Sequence, residues 1–103
     1  LEEYLKKYFS TFEYKGNSKE PTVAWFRPDF IDGANRKIIL LHGLYWHLDI
    51  KGLTRTPENK QYVEQIERDK YKNYGYDCLV VWENELKDYN ALFEKIVGWY
   101  YGN

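Results

Sequence analysis

The spacing of apolar positions changes along the chain, and each change marks an element. Leu1, Leu5 and Tyr8-Phe9 share one helical face with Lys6-Lys7 opposite, which predicts a short helix from Leu1 to about Ser10. Phe12-Glu13-Tyr14-Lys15 alternates as a strand does, and Gly16-Asn17-Ser18 ends it. A second strand is expected around Trp25 to Ile31, with Pro28 placing it at an edge or bend, and Asp32-Gly33 marks a turn. The run Ile38-Ile39-Leu40-Leu41 then predicts a buried strand over Lys37 to Leu41. Gly43 to Pro57 shows no period and reads as mostly loop. Thr56-Pro57 offers a cap and a first-turn proline for a helix reaching about Tyr74 and stopped by Gly75. Cys78 to Trp82 predicts a central strand. Asn84 is expected to cap a last helix to about Tyr101, with Leu86, Tyr89, Leu92, Phe93, Ile96 and Val97 on its apolar face. The order α-β-β-β-α-β-α predicts an α/β layer structure with a mixed sheet.

Composition narrows the picture without deciding it. The 103 residues suit one domain, residues 1–103, with 44% hydrophobic and 30% charged positions. Aromatics are abundant: 11 Tyr, 4 Trp and 5 Phe can fill a core or form a recognition surface. A net charge of −1 lacks the broad basic footprint of a stand-alone nucleic-acid binder, so any such contact needs a local basic stripe or a bound cation. The chain starts at Leu1 and contains no Met, which leads us to expect a fragment of a longer protein. The single Cys78 excludes an internal disulfide and reads as a buried thiol. No run approaches 18 apolar residues, so no membrane-spanning helix is expected, and a reducing interior is the anticipated setting.

The candidate chemistry gathers around one interval. Asp29, in Arg27-Pro28-Asp29-Phe30, precedes His42 by thirteen positions, with the Ile38–Leu41 run between them. If the flanking strands form a hairpin, a carboxylate and two imidazoles converge at one sheet edge. Asp29 suits a hard cation such as Mg²⁺, which takes one or two carboxylates with phosphate and water oxygens; taken alone, a Pro-Asp pair reads first as a strand-end turn contact. His42 and His47 are five residues apart, not the helical spacing that chelates zinc. Each can act in proton transfer or sit hydrogen-bonded in a core. Tyr45 and Trp46 between them can stack on bases or fill the core. The helical acids Glu2, Glu64, Glu67 and Asp69 read first as solvated, and Glu67-Arg68-Asp69-Lys70 as a surface ion-pair face.

Arg27-Pro28-Asp29-Phe30, then His42-Gly43-Leu44-Tyr45-Trp46-His47, then Gly75-Tyr76 leading into Leu79-Val80-Val81-Trp82-Glu83, together resemble the very short patch repair endonucleases and the related EDxHD homing endonucleases. The similarity runs in order along nearly the whole chain. It implies a restriction-endonuclease-like fold, a mixed β-sheet flanked by helices, and Mg²⁺-dependent cleavage of DNA phosphodiesters. By this resemblance Asp29 and the Leu41 backbone carbonyl hold the metal, and His47 acts as general base or proton shuttle. His42 positions a phosphate or metal-bound water, and Glu2 matches the family's early glutamate. Tyr45 and Trp46 match aromatics that wedge into the duplex, with Arg27 beside them as a DNA contact.

Two departures shape the expectation. Leu44, Asp49, Lys51 and Asn84 stand where the repair enzymes carry structural zinc ligands, so zinc is not expected and the homing branch is the better match. The family's last aspartate corresponds to Asp69 by local string, the assignment favoured here, but to Glu64 by spacing back from Gly75. Five residues, about 500° of helix, separate these choices, so they cannot occupy one place. The expectation is the catalytic domain of a homing endonuclease acting on double-stranded DNA inside a bacterial or phage-infected cell, with its DNA-binding domain elsewhere in the full-length protein. Two-strand cleavage would call for a homodimer. A mismatch-repair nickase of the same family, or a catalytically silent DNA-binding module, are the alternatives.

Overall fold

The computed structural model describes residues 1–15, 23, 26–43 and 59–102. Helix α1 (Glu2–Tyr8) is followed by strands β1 (Glu13–Tyr14), β2 (Phe30–Asp32) and β3 (Lys37–His42). Helix α2 (Lys60–Lys72), strand β4 (Asp77–Trp82), a 3₁₀ turn (Glu83–Lys87) and helix α3 (Tyr89–Tyr101) complete the order. The α/β layer structure with a mixed sheet is thus as expected. The sheet order is β1-β2-β3-β4, antiparallel across β1, β2 and β3 and parallel between β3 and β4.

Side-chain alternation on the strands divides the core into two layers. Phe30, Ile39, Leu79 and Val81 face α1 and α3, where Leu5, Phe9, Phe12, Leu92 and Ile96 close over them. Ile31, Ile38, Leu40, Cys78 and Val80 face the other way, under Val63 and Tyr71 of α2. Because both faces are covered, β3 and β4 are continuous apolar runs rather than alternating ones. The aromatics divide between core and surface: Tyr71 and Trp82 are buried, whereas Tyr8, Tyr62 and Tyr101 are exposed.

Three boundary expectations change. Residues Cys78 to Trp82 form no central strand: the β2–β3 hairpin puts β3 in the middle, and the crossover through α2 lays β4 on its free side, at the edge of the described sheet. The last helix is capped by Asp88, not Asn84. Asp88 Oδ1 accepts from the N–H groups of Asn90 and Ala91, while the 3₁₀ turn closes earlier, with Glu85 Oε1 accepting from the Trp82 N–H at 2.9 Å. The second strand is shorter than expected, Phe30–Asp32, and Pro28 is fully buried just ahead of it. The anticipated start of the middle helix at Thr56-Pro57, and nearly all of the Gly43–Pro57 loop, lie outside the described residues. That helix ends in a turn reaching Gly75, whose φ of 84° favours glycine.

The Asp32-Gly33 turn carries a polar network. Asp32 is 1% exposed, yet its carboxylate accepts from Thr11 Oγ1, from the Asn35 N–H and side-chain amide, and from the Tyr100 hydroxyl. These bonds join the α1–β1 connection, the hairpin turn and α3. Burial pushes the Asp32 carboxyl up, but the four donated bonds outweigh it and leave it below its ordinary value.

Candidate active site

Asp29 is fixed from two sides. Its main-chain carbonyl accepts from the Lys15 N–H at 2.7 Å, extending the β1 contact. Its carboxylate Oδ2 accepts from the Leu41 N–H at 2.9 Å on β3. The hairpin therefore brings together two residues that are twelve apart in sequence. In an extended strand the N–H and C=O of one residue point to the same side. The Leu41 carbonyl accordingly turns toward the side where Asp29 lies.

His42 is the last residue of β3 and, by alternation, shares the α2 side with Ile38 and Leu40. It is 5% exposed. Its Nε2 lies 2.8 Å from Oε2 of Glu67, itself 4% exposed, and its ring meets Trp82 edge-on with centroids 5.4 Å apart. Lys70 Nζ reaches the other Glu67 oxygen, Oε1, at 2.7 Å. Burial drives the Glu67 carboxyl toward the neutral form. The hydrogen bonds from His42 and Lys70, with their charges, more than offset this and hold it below the usual carboxylate range. An ionised carboxylate can only accept, so His42 carries a hydrogen on Nε2.

These groups line one cleft of about 510 Å³, with Arg27, Asp29, Leu41, His42, Glu67 and Lys70 on its walls and Phe26 and Tyr71 beside them. Arg27 is exposed at its rim. Glu2, exposed in the first turn of α1, borders a neighbouring cleft of about 250 Å³ together with Asp29, Leu41 and Glu83. Asp29 and Leu41 form the wall that the two clefts share.

The structure gathers Arg27, Asp29, the Leu41 main chain and His42, with Glu2 on the far side of the shared wall. Asp69 is not among them. It is exposed, accepts from Gln65 Nε2 at 2.8 Å, and borders a different cleft beside Arg68, Lys72 and Tyr76. The reason is angular: two residues past Glu67 is about 200° around the helix, so Asp69 points away when Glu67 points in. Glu64, three residues before Glu67, stays on the inner side and accepts from Trp82 Nε1 at 2.7 Å. Tyr45, Trp46 and His47 lie outside the described residues. Among the described residues no three His, Cys, Asp or Glu side chains group closely enough to hold a metal ion by themselves.

The expected surface ion-pair face is corrected at Glu67, which is buried at 4% exposure and pairs inward with His42 as well as with Lys70. A signal was present: Val63, Glu67 and Tyr71 recur every four residues, and both outer members are buried. An acid in the middle of a buried helical stripe is a candidate for a paired interior charge. Comparison with known proteins adds nothing to this geometry: no family model, curated protein or solved structure matches the chain.

Proposed function

We propose that this chain is the catalytic domain of a metal-dependent DNA endonuclease of the EDxHD homing type, built on a restriction-endonuclease-like sheet. The observation that carries the reading is the Asp29 carboxylate bonded to the Leu41 main chain, in the same cleft as a buried His42–Glu67 pair and two cations. This donor set fits Mg²⁺, a hard cation that takes one or two carboxylates and completes its shell with substrate and water oxygens. Asp29 and the Leu41 carbonyl are the groups that would hold it. When bound, Mg²⁺ supplies charge neutralisation on the phosphate and the leaving oxygen.

The chain's own residues have distinct tasks in this reading. Arg27 draws the phosphodiester to the cleft rim. His42, oriented by Glu67, presents its remaining ring nitrogen as an acceptor to a water or, as an imidazolium, as a donor to a phosphate oxygen. His47 moves the proton of the attacking water, and Glu2 assists from the neighbouring cleft. Tyr45 and Trp46 stack on or between bases. Double-stranded DNA is the partner, and two-strand cleavage would call for a second copy. Among the described residues no helix is long and apolar enough to cross a membrane.

The test is a supercoiled-plasmid nicking assay with Mg²⁺ and with chelator. Wild type should nick only with Mg²⁺, and Asp29→Ala should lose nicking while keeping its near-UV dichroism and melting transition. Full Mg²⁺-dependent nicking by Asp29→Ala would sink this reading. Complete inactivity of wild type at high concentration would favour the silent binding module.

A further inference from the structure

Lys70 projects from α2 three residues after Glu67 and onto the same face. Its Nζ lies 2.7 Å from Glu67 Oε1, 4.6 Å from the Phe26 ring centroid and 5.1 Å from that of Tyr71. This is no solvated helix-surface pair, because the Glu67 side chain is only 6% exposed. Nor is Lys70 swallowed with its partner: its own side chain keeps 30% exposure, on the wall of the cleft that Arg27 also lines.

An ammonium has three N–H donors, and Lys70 is ion-paired to a single Glu67 oxygen. Held by Glu67 and flanked by two rings, the group is fixed in place with donors to spare on an accessible wall. Arg27 adds a second cation in the same cleft. The buried carboxylate of the cleft divides its oxygens between two groups, Glu67 Oε1 facing Lys70 and Oε2 facing His42. Two cations on the walls of one cleft, one of them held by a buried carboxylate that also binds His42, offer donors to an added anion that enters it.

We propose that Lys70 is a phosphate-binding residue of this cleft, acting with Arg27 on a phosphodiester oxygen while its bond to Glu67 keeps it in place. The proposal rests on the nuclease reading for the identity of the anion as a DNA phosphate, but not for the binding itself. It therefore carries a test that does not need cleavage.

Two measurements on the full chain test it. The first titrates inorganic phosphate without metal and follows the Lys70 side-chain and Arg27 guanidinium resonances. A saturable shift of both in wild type is the expected result, with the Arg27 shift retained in Lys70→Arg and lost in Lys70→Met. The second measures binding of a 12-base-pair duplex in chelator across a salt series. Lys70→Met should weaken binding and reduce the slope of log affinity against log salt by about 1, as for loss of one phosphate contact, with Lys70→Arg restoring it. The absence of a phosphate-induced shift at Lys70 in wild type overturns the proposal whatever the variants do. So does a Lys70→Met protein that binds phosphate and duplex as wild type does. Phosphate binding without any nicking would leave the Lys70 assignment standing and count against the nuclease reading alone.

Discussion

His42 and Glu67 meet at 2.8 Å with both side chains only 6% exposed, joining the last residue of β3 to the middle of α2. The contact follows from two periodicities that happen to coincide. Strand alternation turns His42 to the α2 side, and the four-residue helical step from Val63 turns Glu67 to the sheet. An imidazole at a buried strand end is thereby given a charged acceptor, and its tautomer is set by that acceptor rather than by solvent.

Removing this acceptor should affect chemistry and stability together. Glu67→Gln replaces a charged partner by a neutral amide, and we expect plasmid nicking to fall on the order of 10–100-fold, as when the orienting partner of a functional histidine is lost. Glu67→Ala leaves His42 buried without that partner and should cost about 1–3 kcal/mol in chemical denaturation. Asp69→Asn, two residues on, should change stability by less than about 0.5 kcal/mol and leave nicking unaltered. A matching loss in Asp69→Asn would show that the helix face has been misassigned.

The contrast between these neighbours marks what could be seen in the chain beforehand. The order of elements was legible because apolar spacing changes sharply at each boundary, and the hairpin brought Asp29 to the sheet edge where His42 ends β3, while Leu41 came from the family resemblance alone. The place of β4 was not legible: a doubly buried strand has the same apolar sequence at the edge of a sheet as at its centre when helices cover both faces. Nor was Glu67, since Glu67-Arg68-Asp69-Lys70 has the composition of a solvated face. Only the burial of Val63 and Tyr71 on either side of Glu67 reveals which of its acids points inward.

Acid should unfold the protein through two identifiable carboxylates. Asp32 and Glu67 both have their carboxyls held below the ordinary range, by hydrogen bonds that outweigh burial. Each therefore binds fewer protons folded than unfolded in the acidic range. Their stabilisation is present above the unfolded-state value and is lost as pH falls through the lower folded-state value. Denaturation midpoints measured from pH 7 down to pH 2 should fall with decreasing pH. Asp32→Asn, which cannot titrate, should be less stable near neutrality and lose less stability on acidification. An unchanged pH slope in that variant would remove Asp32 from the account.

The end of α2 should be sensitive to a single methyl group. Gly75 holds φ at 84°, a backbone region where a Cβ meets the chain's own carbonyl. An added Cβ has space, its nearest neighbour being the Arg36 guanidinium at 3.8 Å, so the penalty is conformational rather than steric against the fold. Gly75→Ala should lower stability by about 1 kcal/mol, and Gly75→Asn by less, because asparagine tolerates this region better. Equal stability of wild type and Gly75→Ala in urea would show that the turn relaxes to another geometry.

Cys78 offers a readout of the core between β4 and α2. It is 2% exposed among Ile38, Val80, Tyr71 and Val63, and burial, with the nearby Glu67 charge, pushes its thiol well above the ordinary value. The thiolate is the reactive form, so both access and ionisation suppress its chemistry in the folded protein. Labelling by a disulfide reagent at pH 8 should proceed only as fast as the domain opens, and should accelerate sharply across the urea transition. Cys78→Ser puts a hydroxyl into this apolar layer and should cost about 1–3 kcal/mol. Rapid native-state labelling of the thiol, at a rate independent of urea below the transition, would mean that the edge strand β4 detaches locally and that the α2 layer is not the closed core described above.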